Sequence, residues 1–224
     1  MAGAWQRPDT ALIATGLLGG SFNPAHGGHR MTSLMAMEAL GLDALWWLVS
    51  PGNPLKPKAG MAPLPARLAS AQKMTRGTRI CATAIERELG TRYTIDTLRL
   101  LVRRYPKRRF IWLMGADNMV QFHRWKDWRK IAQLMPIAVI ARPGYDGGAR
   151  AAVAMGWLRA HVRPPSHKNE WMSLNHPAVM FLRFPPDSRS ATQLRLADPA
   201  WHEKISTRGL RDPVTHHFVS EELS

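Results

Sequence analysis

Cysteine is nearly absent from this chain, Cys81 being the sole one in 224 residues. That excludes an intramolecular disulfide framework and a cysteine-cluster zinc site, and fits a reducing compartment. Acidic residues are also scarce. The 16 Asp and Glu stand against 31 Lys and Arg, a formal charge of +15 and a pI near 11.1. Such a chain attracts polyanions: nucleic acid, anionic lipid or small phosphorylated molecules. Charge alone does not choose among them. The excess is spread along the chain, in Arg103-Arg104, Lys107-Arg108-Arg109, Arg124-Lys126-Arg129-Lys130 and Arg159-Arg163, as on a solvated basic surface. There is no internal repeat, no low-complexity tract and no ~20-residue apolar run of the kind that spans a bilayer. Thr10 to His29 lacks Asp, Glu, Lys and Arg and superficially resembles a signal peptide. Asp9 at its edge and the Gly-rich loop within it argue against that reading, so a cytoplasmic location is expected.

Apolar residues make up 45% and charged residues 21%, ordinary globular values that exclude a disordered chain. At roughly 150 residues per domain, the length suits one domain with an extension. We place the domain at residues 10–200 and leave 201–224 as a C-terminal extension without an assigned role. Apolar runs alternate with amphipathic stretches. Strands are expected at Leu12–Leu18, Leu45–Val49, Thr78–Ala82, Phe110–Met114, Pro136–Ala141 and Ala178–Phe184. Helices are expected at His29–Leu40, Ala66–Thr75, Thr94–Tyr105, Ala149–Arg159 and Ser190–Leu196. In the first helix Met31, Leu34, Met35 and Leu40 largely share a face. Thr94 is placed to cap the third and Ser190 the last. The pattern predicts an α/β fold, a Rossmann-like, doubly wound, mostly parallel sheet with helices on both faces.

In such sheets ligands sit beyond the carboxyl ends of the strands. The segment after the first strand reads Gly19-Gly20-Ser21-Phe22-Asn23-Pro24-Ala25-His26-Gly27-Gly28-His29. Two glycines allow a tight turn whose N–H groups can cradle phosphate oxygens. His26 and His29, three apart, can share one side of a helix's first turn, where unpaired N–H groups and the helix dipole favour an anion. A zinc site is the rival use of such a pair, but the Glu of a metalloprotease helix is missing. A structural histidine is the other, and it fits a lone His better than a pair behind a Gly-Gly turn. Trp125 lies among His123, Arg124, Lys126 and Asp127, poor company for a core residue, and offers a flat face for a ring. Trp112 and Trp157 read as core.

The Gly19–His29 segment resembles the signature of the nucleotidylyltransferase superfamily, a Gly-Gly turn followed by Phe, Asn or Asp, Pro and His-x-Gly-His. Three further stretches are similar to bacterial nicotinate-nucleotide adenylyltransferases: Tyr93-Thr94-Ile95-Asp96-Thr97-Leu98, Gly115-Ala116-Asp117 with Trp125 and Trp128 after it, and Ser190-Ala191-Thr192-Gln193-Leu194-Arg195. The matches run from about Leu17 to Arg195. One loop departs. The family often has Pro-Pro-His-Lys where this chain has Asn53-Pro54-Leu55-Lys56-Pro57-Lys58, so Lys56 or Lys58 stands in for the histidine.

The resemblance implies adenylyl transfer from ATP to nicotinic acid mononucleotide, with loss of pyrophosphate, in NAD biosynthesis. It assigns His26, His29 and Arg195 to catalysis. It places ATP at Gly19, Gly20, Ser21, Phe22, His26, His29, Gly115, Asp117, Ser190, Thr192 and Arg195. It places the mononucleotide at Asn53, Lys56, Tyr93, Thr94, Asp96 and Trp125. Mg²⁺ is expected to ride on the triphosphate with mostly water ligands and no protein metal site. Asp96 is alternatively a solvated first-turn carboxylate, and Asp117 alternatively a helix N-cap. Two rivals stand beside this reading. One is adenylyl transfer to another phosphate monoester, nicotinamide mononucleotide or phosphopantetheine. The other is a non-catalytic nucleic-acid-binding protein, supported by the charge and opposed by the lack of any nucleic-acid-binding motif.

Overall fold

The computed structural model of the chain describes residues 12–52, 60–141, 144–164, 170–185 and 189–220. Its strands are β1 (Ile13–Gly20), β2 (Ala44–Val49), β3 (Ile80–Thr83), β4 (Arg108–Gly115), β5 (Ile137–Ile140) and β6 (Val179–Leu182), in one sheet of order β3-β2-β1-β4-β5-β6. Every pairing is parallel. Parallel strands are covered on both faces and so need near-continuous apolar sequence. In β2, Leu45, Trp47 and Val49 pack into the core on one face while Trp46 and Leu48 pack into the core on the other. The helices of the described residues are α1 (Gly27–Leu40), α2 (Leu64–Thr75), α3 (Ile85–Glu88), α4 (Thr94–Arg104), α5 (Ala116–Gln121), α6 (Trp128–Leu134), α7 (Asp146–Arg150), α8 (Met155–Leu158) and α9 (Ala191–Ala197). Among the described residues no helix is long and apolar enough to cross a membrane.

The chain winds outward from β1 to β3, then returns to the centre and winds the other way from β4 to β6. The winding reverses between β1 and β4, and a crevice at their carboxyl ends is the natural ligand position. The expected doubly wound α/β architecture is therefore the observed one, with ends shifted by a few residues and with α3, α5 and α6 as short helices beyond those expected.

Three local expectations are corrected. Met31 is 48% exposed; of the expected face Leu40 is buried, and Ser33, Ala36 and Met37 are buried with it. A small polar residue is needed on that face because the Trp47 indole donates to Ser33 Oγ at 2.8 Å. The helix expected over Ala149–Arg159 is two short helices, α7 and α8, with a turn between them. Gly156 is the one glycine within the expected span and weakens a continuous helix there. Thr94 is the first residue of α4 rather than its cap; Tyr93 holds the N-cap position and makes no side-chain capping bond.

The segment after residue 200 packs onto the β3 edge. Trp201 and Val219 are buried, and Asp212 is 2% exposed. The Asp212 carboxylate accepts from the Thr83 hydroxyl (2.9 Å), the N–H of Ala84, and the N–H groups of Val214 (2.9 Å) and Thr215 (3.1 Å). It thereby fixes the junction between β3 and α3. Replacing Asp212 by Ala strands several buried donors, each costing ~1–3 kcal/mol. Urea unfolding of Asp212→Ala is expected to show a loss of about 2–4 kcal/mol; a loss below ~0.5 kcal/mol would contradict this role.

Candidate active site at the carboxyl ends of β1 and β4

The Gly-rich loop is shaped from below. A Cβ on Gly19 would lie 2.7 Å from Trp112 Cη2, so the tryptophan wall permits only glycine there. Phe22 turns its ring into the core and stacks on Trp47 at 4.8 Å, and it does not line the adjoining cavity. Asn23 is buried, donating to the Gly60 carbonyl at 2.8 Å and accepting from the Ala62 N–H at 3.3 Å.

Beneath the loop lies Arg67, which sequence reasoning missed. It is 1% exposed. Its guanidinium donates to three backbone carbonyls: Ala62 (2.8 Å), Ser21 (2.8 Å) and Ser50 (2.7 Å). Burial lowers its pKa to about 10, so it stays charged at neutral pH. One cation thus ties the segments after β1 and β2 to the start of α2.

His26 and His29 cap α1 reciprocally. The Gly28 N–H donates to His26 Nδ1 at 3.1 Å, and the His26 N–H donates to His29 Nδ1 at 3.2 Å. The rings lie 3.8 Å apart between centroids. An Nδ1 that accepts carries no proton, so the proton of each neutral ring is on Nε2. Each imidazole therefore presents an N–H donor on the side away from the backbone, at the positive end of a 14-residue helix. Protonating either ring at Nδ1 would break its cap.

Arg195 is brought to the same loop from far along the chain. It donates to the Asn23 carbonyl at 2.6 Å and to Thr192 Oγ1 at 3.2 Å. Ser190 caps α9 as expected, accepting from the Gln193 N–H at 3.2 Å. Gly115 ends β4 and is the N-cap of α5, and Asp117 lies in the first turn of that helix. Asn53 and Lys56 lie outside the described residues, as does Lys58.

A cavity of about 170 Å³ opens beside the Gly-rich turn, lined by Gly19, Gly20, Ser21, Tyr93, Thr94 and Trp125 together with Trp112, Glu86, Arg92 and Lys126. It is smaller than the ~300 Å³ at the lower end of small-molecule sites, so it accommodates only part of a larger ligand. Trp112, read as core, is both core and cavity wall, and stands edge-on to Trp125 with centroids 6.3 Å apart. Lys126 lies over the Tyr93 ring at 4.5 Å and pairs with Asp96 at 3.1 Å. Asp96 thus engages Lys126 and is not part of the lining. A larger depression of about 600 Å³ lies between α2, β3 and the C-terminal segment, but no sequence-predicted site residue lines it.

Glu86 was also missed. It sits at the base of the cavity, where the Thr97 hydroxyl donates to its Oε1 at 3.3 Å and the Ser50 hydroxyl is a second partner. Burial pushes its carboxyl up to about 7, with both hydrogen bonds opposing.

The chain is similar to known proteins over most of its length. Residues 17–207 match the family model described as cytidylyltransferase-like. A protein of Erythrobacter litoralis named "Probable nicotinate-nucleotide adenylyltransferase" is 57% identical over 213 residues, 95% of this chain and 97% of the relative. A protein of the same name from Parvibaculum lavamentivorans is 52% identical over 83% of this chain and 92% of its own length. A solved Plasmodium falciparum nicotinic acid mononucleotide adenylyltransferase, complexed with NaAD, shares the fold at a TM-score of 0.60. It is 15% identical, over 82% of this chain and 83% of its own.

The Glu86 carboxyl makes a pH prediction. Its folded pKa lies above the ordinary 4.5, so the stability linked to its protonated form is complete below pH 4.5 and is lost as pH rises through about 7. Glu86→Gln cannot ionise. Its melting temperature relative to the unmodified chain should climb between about pH 5 and pH 8; a gap that stays level across that range would contradict the buried-acid assignment.

Proposed function

The chain belongs to the cytidylyltransferase-like family, and from that premise we propose that it transfers the adenylyl group of ATP to nicotinic acid mononucleotide. The products are nicotinic acid adenine dinucleotide and pyrophosphate, a step of NAD biosynthesis. The relatives' shared name supports this reading. The structural observation that carries it is that Gly19, Gly20 and Ser21 line the same cavity as Tyr93, Thr94 and Trp125. A phosphate-binding turn and an aromatic ring pocket therefore adjoin, with the reacting phosphates between them.

The attacking group is the 5′-phosphate of the mononucleotide, already anionic near neutral pH because its second pKa is about 6. It displaces pyrophosphate in line from the α-phosphorus of ATP. No general base and no covalent enzyme intermediate are needed. The protein's part is positioning and stabilising charge. His26 and His29 donate from Nε2–H to the ATP phosphates as negative charge builds on the leaving oxygen. Arg195, with the backbone and hydroxyls of Ser190 and Thr192, meets the β- and γ-phosphates. Gly115 and Asp117 contact the nucleoside end, and the backbone from Gly19 to Phe22 follows the phosphates.

The pyridine ring stacks on Trp125. Its carboxylate meets the N–H groups at the start of α4, near Tyr93 and Thr94, a preference for the acid over the amide. Asp96 serves by holding Lys126 over Tyr93, and the segment containing Asn53 and Lys56 closes the mononucleotide side. Mg²⁺ is proposed to arrive with ATP. The imidazoles of His26 and His29 and the Arg195 guanidinium beside the Gly-rich turn suit the phosphate oxygens rather than Mg²⁺. The ion's proposed ligands are phosphate oxygens and water.

His26→Ala and His29→Ala are each expected to lower kcat/KM by about 10²–10³, the scale of a lost transition-state donor. Near-normal turnover in both would remove the pair from the mechanism. Trp125→Ala should chiefly raise the KM for the mononucleotide, and an unaltered KM would mean that the ring stacks elsewhere.

A further inference from the structure

Glu86 is the one acid among the described residues lining the ring cavity; Arg92, Arg124 and Lys126 line it as well. A carboxylate there would oppose the carboxylate of a nicotinate substrate. The Thr97 hydroxyl donates to Glu86 Oε1 at 3.3 Å, which fixes the carboxyl at the cavity lining. Its hydrogen bonds favour the carboxylate, and its burial favours the neutral acid.

Resting on the adenylyl-transfer reading above, we infer that Glu86 selects the charge of the pyridine nucleotide: neutral, it leaves the cavity cationic; ionised, it repels the nicotinate carboxylate. The surrounding charges come from every neighbouring element. From α2, Arg67 holds the Ser50 carbonyl. The turn before α4 brings Arg92 and Tyr93, and the segment after α5 brings Arg124 and Lys126, the latter paired with Asp96 of α4. On α3 itself, Arg87 donates to the Ser220 carbonyl, and Glu88 is bound by Arg104 and His217. Asp212 holds the start of α3 through the Ala84 N–H and the Thr83 hydroxyl. Burial outweighs the hydrogen bonds from Thr97 and Ser50, which favour ionisation, and keeps the carboxyl protonated to near neutrality.

The test is the KM of the full chain for nicotinic acid and nicotinamide mononucleotides from about pH 6 to about pH 8.5, spanning the Glu86 titration. Their ratio cancels the phosphate titration common to both, near pH 6. The acid-to-amide KM ratio should rise about tenfold across the range, one unit of proton linkage being tenfold in binding. In Glu86→Gln that rise should vanish. A level ratio in the unmodified chain, or an undiminished rise in Glu86→Gln, overturns the inference. If the variant does not fold, calorimetry of the unmodified chain at about pH 7.5, in two buffers of different ionisation heat, decides instead. Binding of the acid nucleotide should take up more protons than binding of the amide, and equal uptake overturns the inference. Turnover and binding absent with both nucleotides would bring down the adenylyl-transfer reading itself, an outcome distinct from a level ratio with normal turnover.

Discussion

The arrangement at the carboxyl ends of the strands depends on the buried guanidinium of Arg67. Its three acceptors are backbone carbonyls from segments that are remote in sequence, at Ser21, Ser50 and Ala62. A buried cation is tolerated only when its donors are satisfied, and carbonyl oxygens supply that here. The loop after β1 cannot move independently of the segment after β2 without stranding a charge in the core. Asn23 adds a second tie between the same regions, through Gly60 and Ala62. The Gly-rich turn is thereby presented as a fixed surface, which is what a reaction driven by positioning needs.

On that surface the two histidines cap α1 with the same bonds that aim the donors of the proposed reaction. Each ring closes the end of α1 with Nδ1 and so keeps its proton on Nε2. The cap is what orients the donors. Arg195 reaches the loop from α9 and locks onto the Asn23 carbonyl, so the C-terminal motif and the Gly-rich motif form one site although 172 residues separate the two contacts. The basic excess has partial use in packing. Arg108 lies over Trp46, Arg129 over Trp128, Arg150 over Phe181 and Arg211 over Phe218, cations placed on aromatic faces.

Much of this was legible from the sequence because it is local. A Gly-Gly turn, a His pair at a spacing of three, and apolar runs stopped by Gly or Pro give the strands, the helix starts and the loop. The doubly wound sheet follows from their alternation. What escaped is non-local. Nothing around Arg67 announces that three carbonyls will converge on it, and an arginine in α2 reads as a surface charge. Glu86 lies in a short helix without a periodic signature and gains its meaning from Ser50 and Thr97. Asp212 is 129 residues from Thr83, and only the folded chain shows that the C-terminal segment holds the junction of β3 and α3. Tyr93-Thr94 was placed correctly at a helix start but with the wrong cap, since a tight turn and a cap residue look alike in sequence.

The account stands on the adjacency of a phosphate-binding turn and a ring cavity suited to an anionic pyridine. The most direct measurement is pyrophosphate release by the full chain from ATP and Mg²⁺, run in parallel with nicotinic acid mononucleotide, nicotinamide mononucleotide and phosphopantetheine. Turnover that strongly favours the acid nucleotide is the predicted result. Turnover favouring phosphopantetheine, or none with any of the three, would contradict it, and the latter would turn attention to the chain's basic surface and nucleic acid.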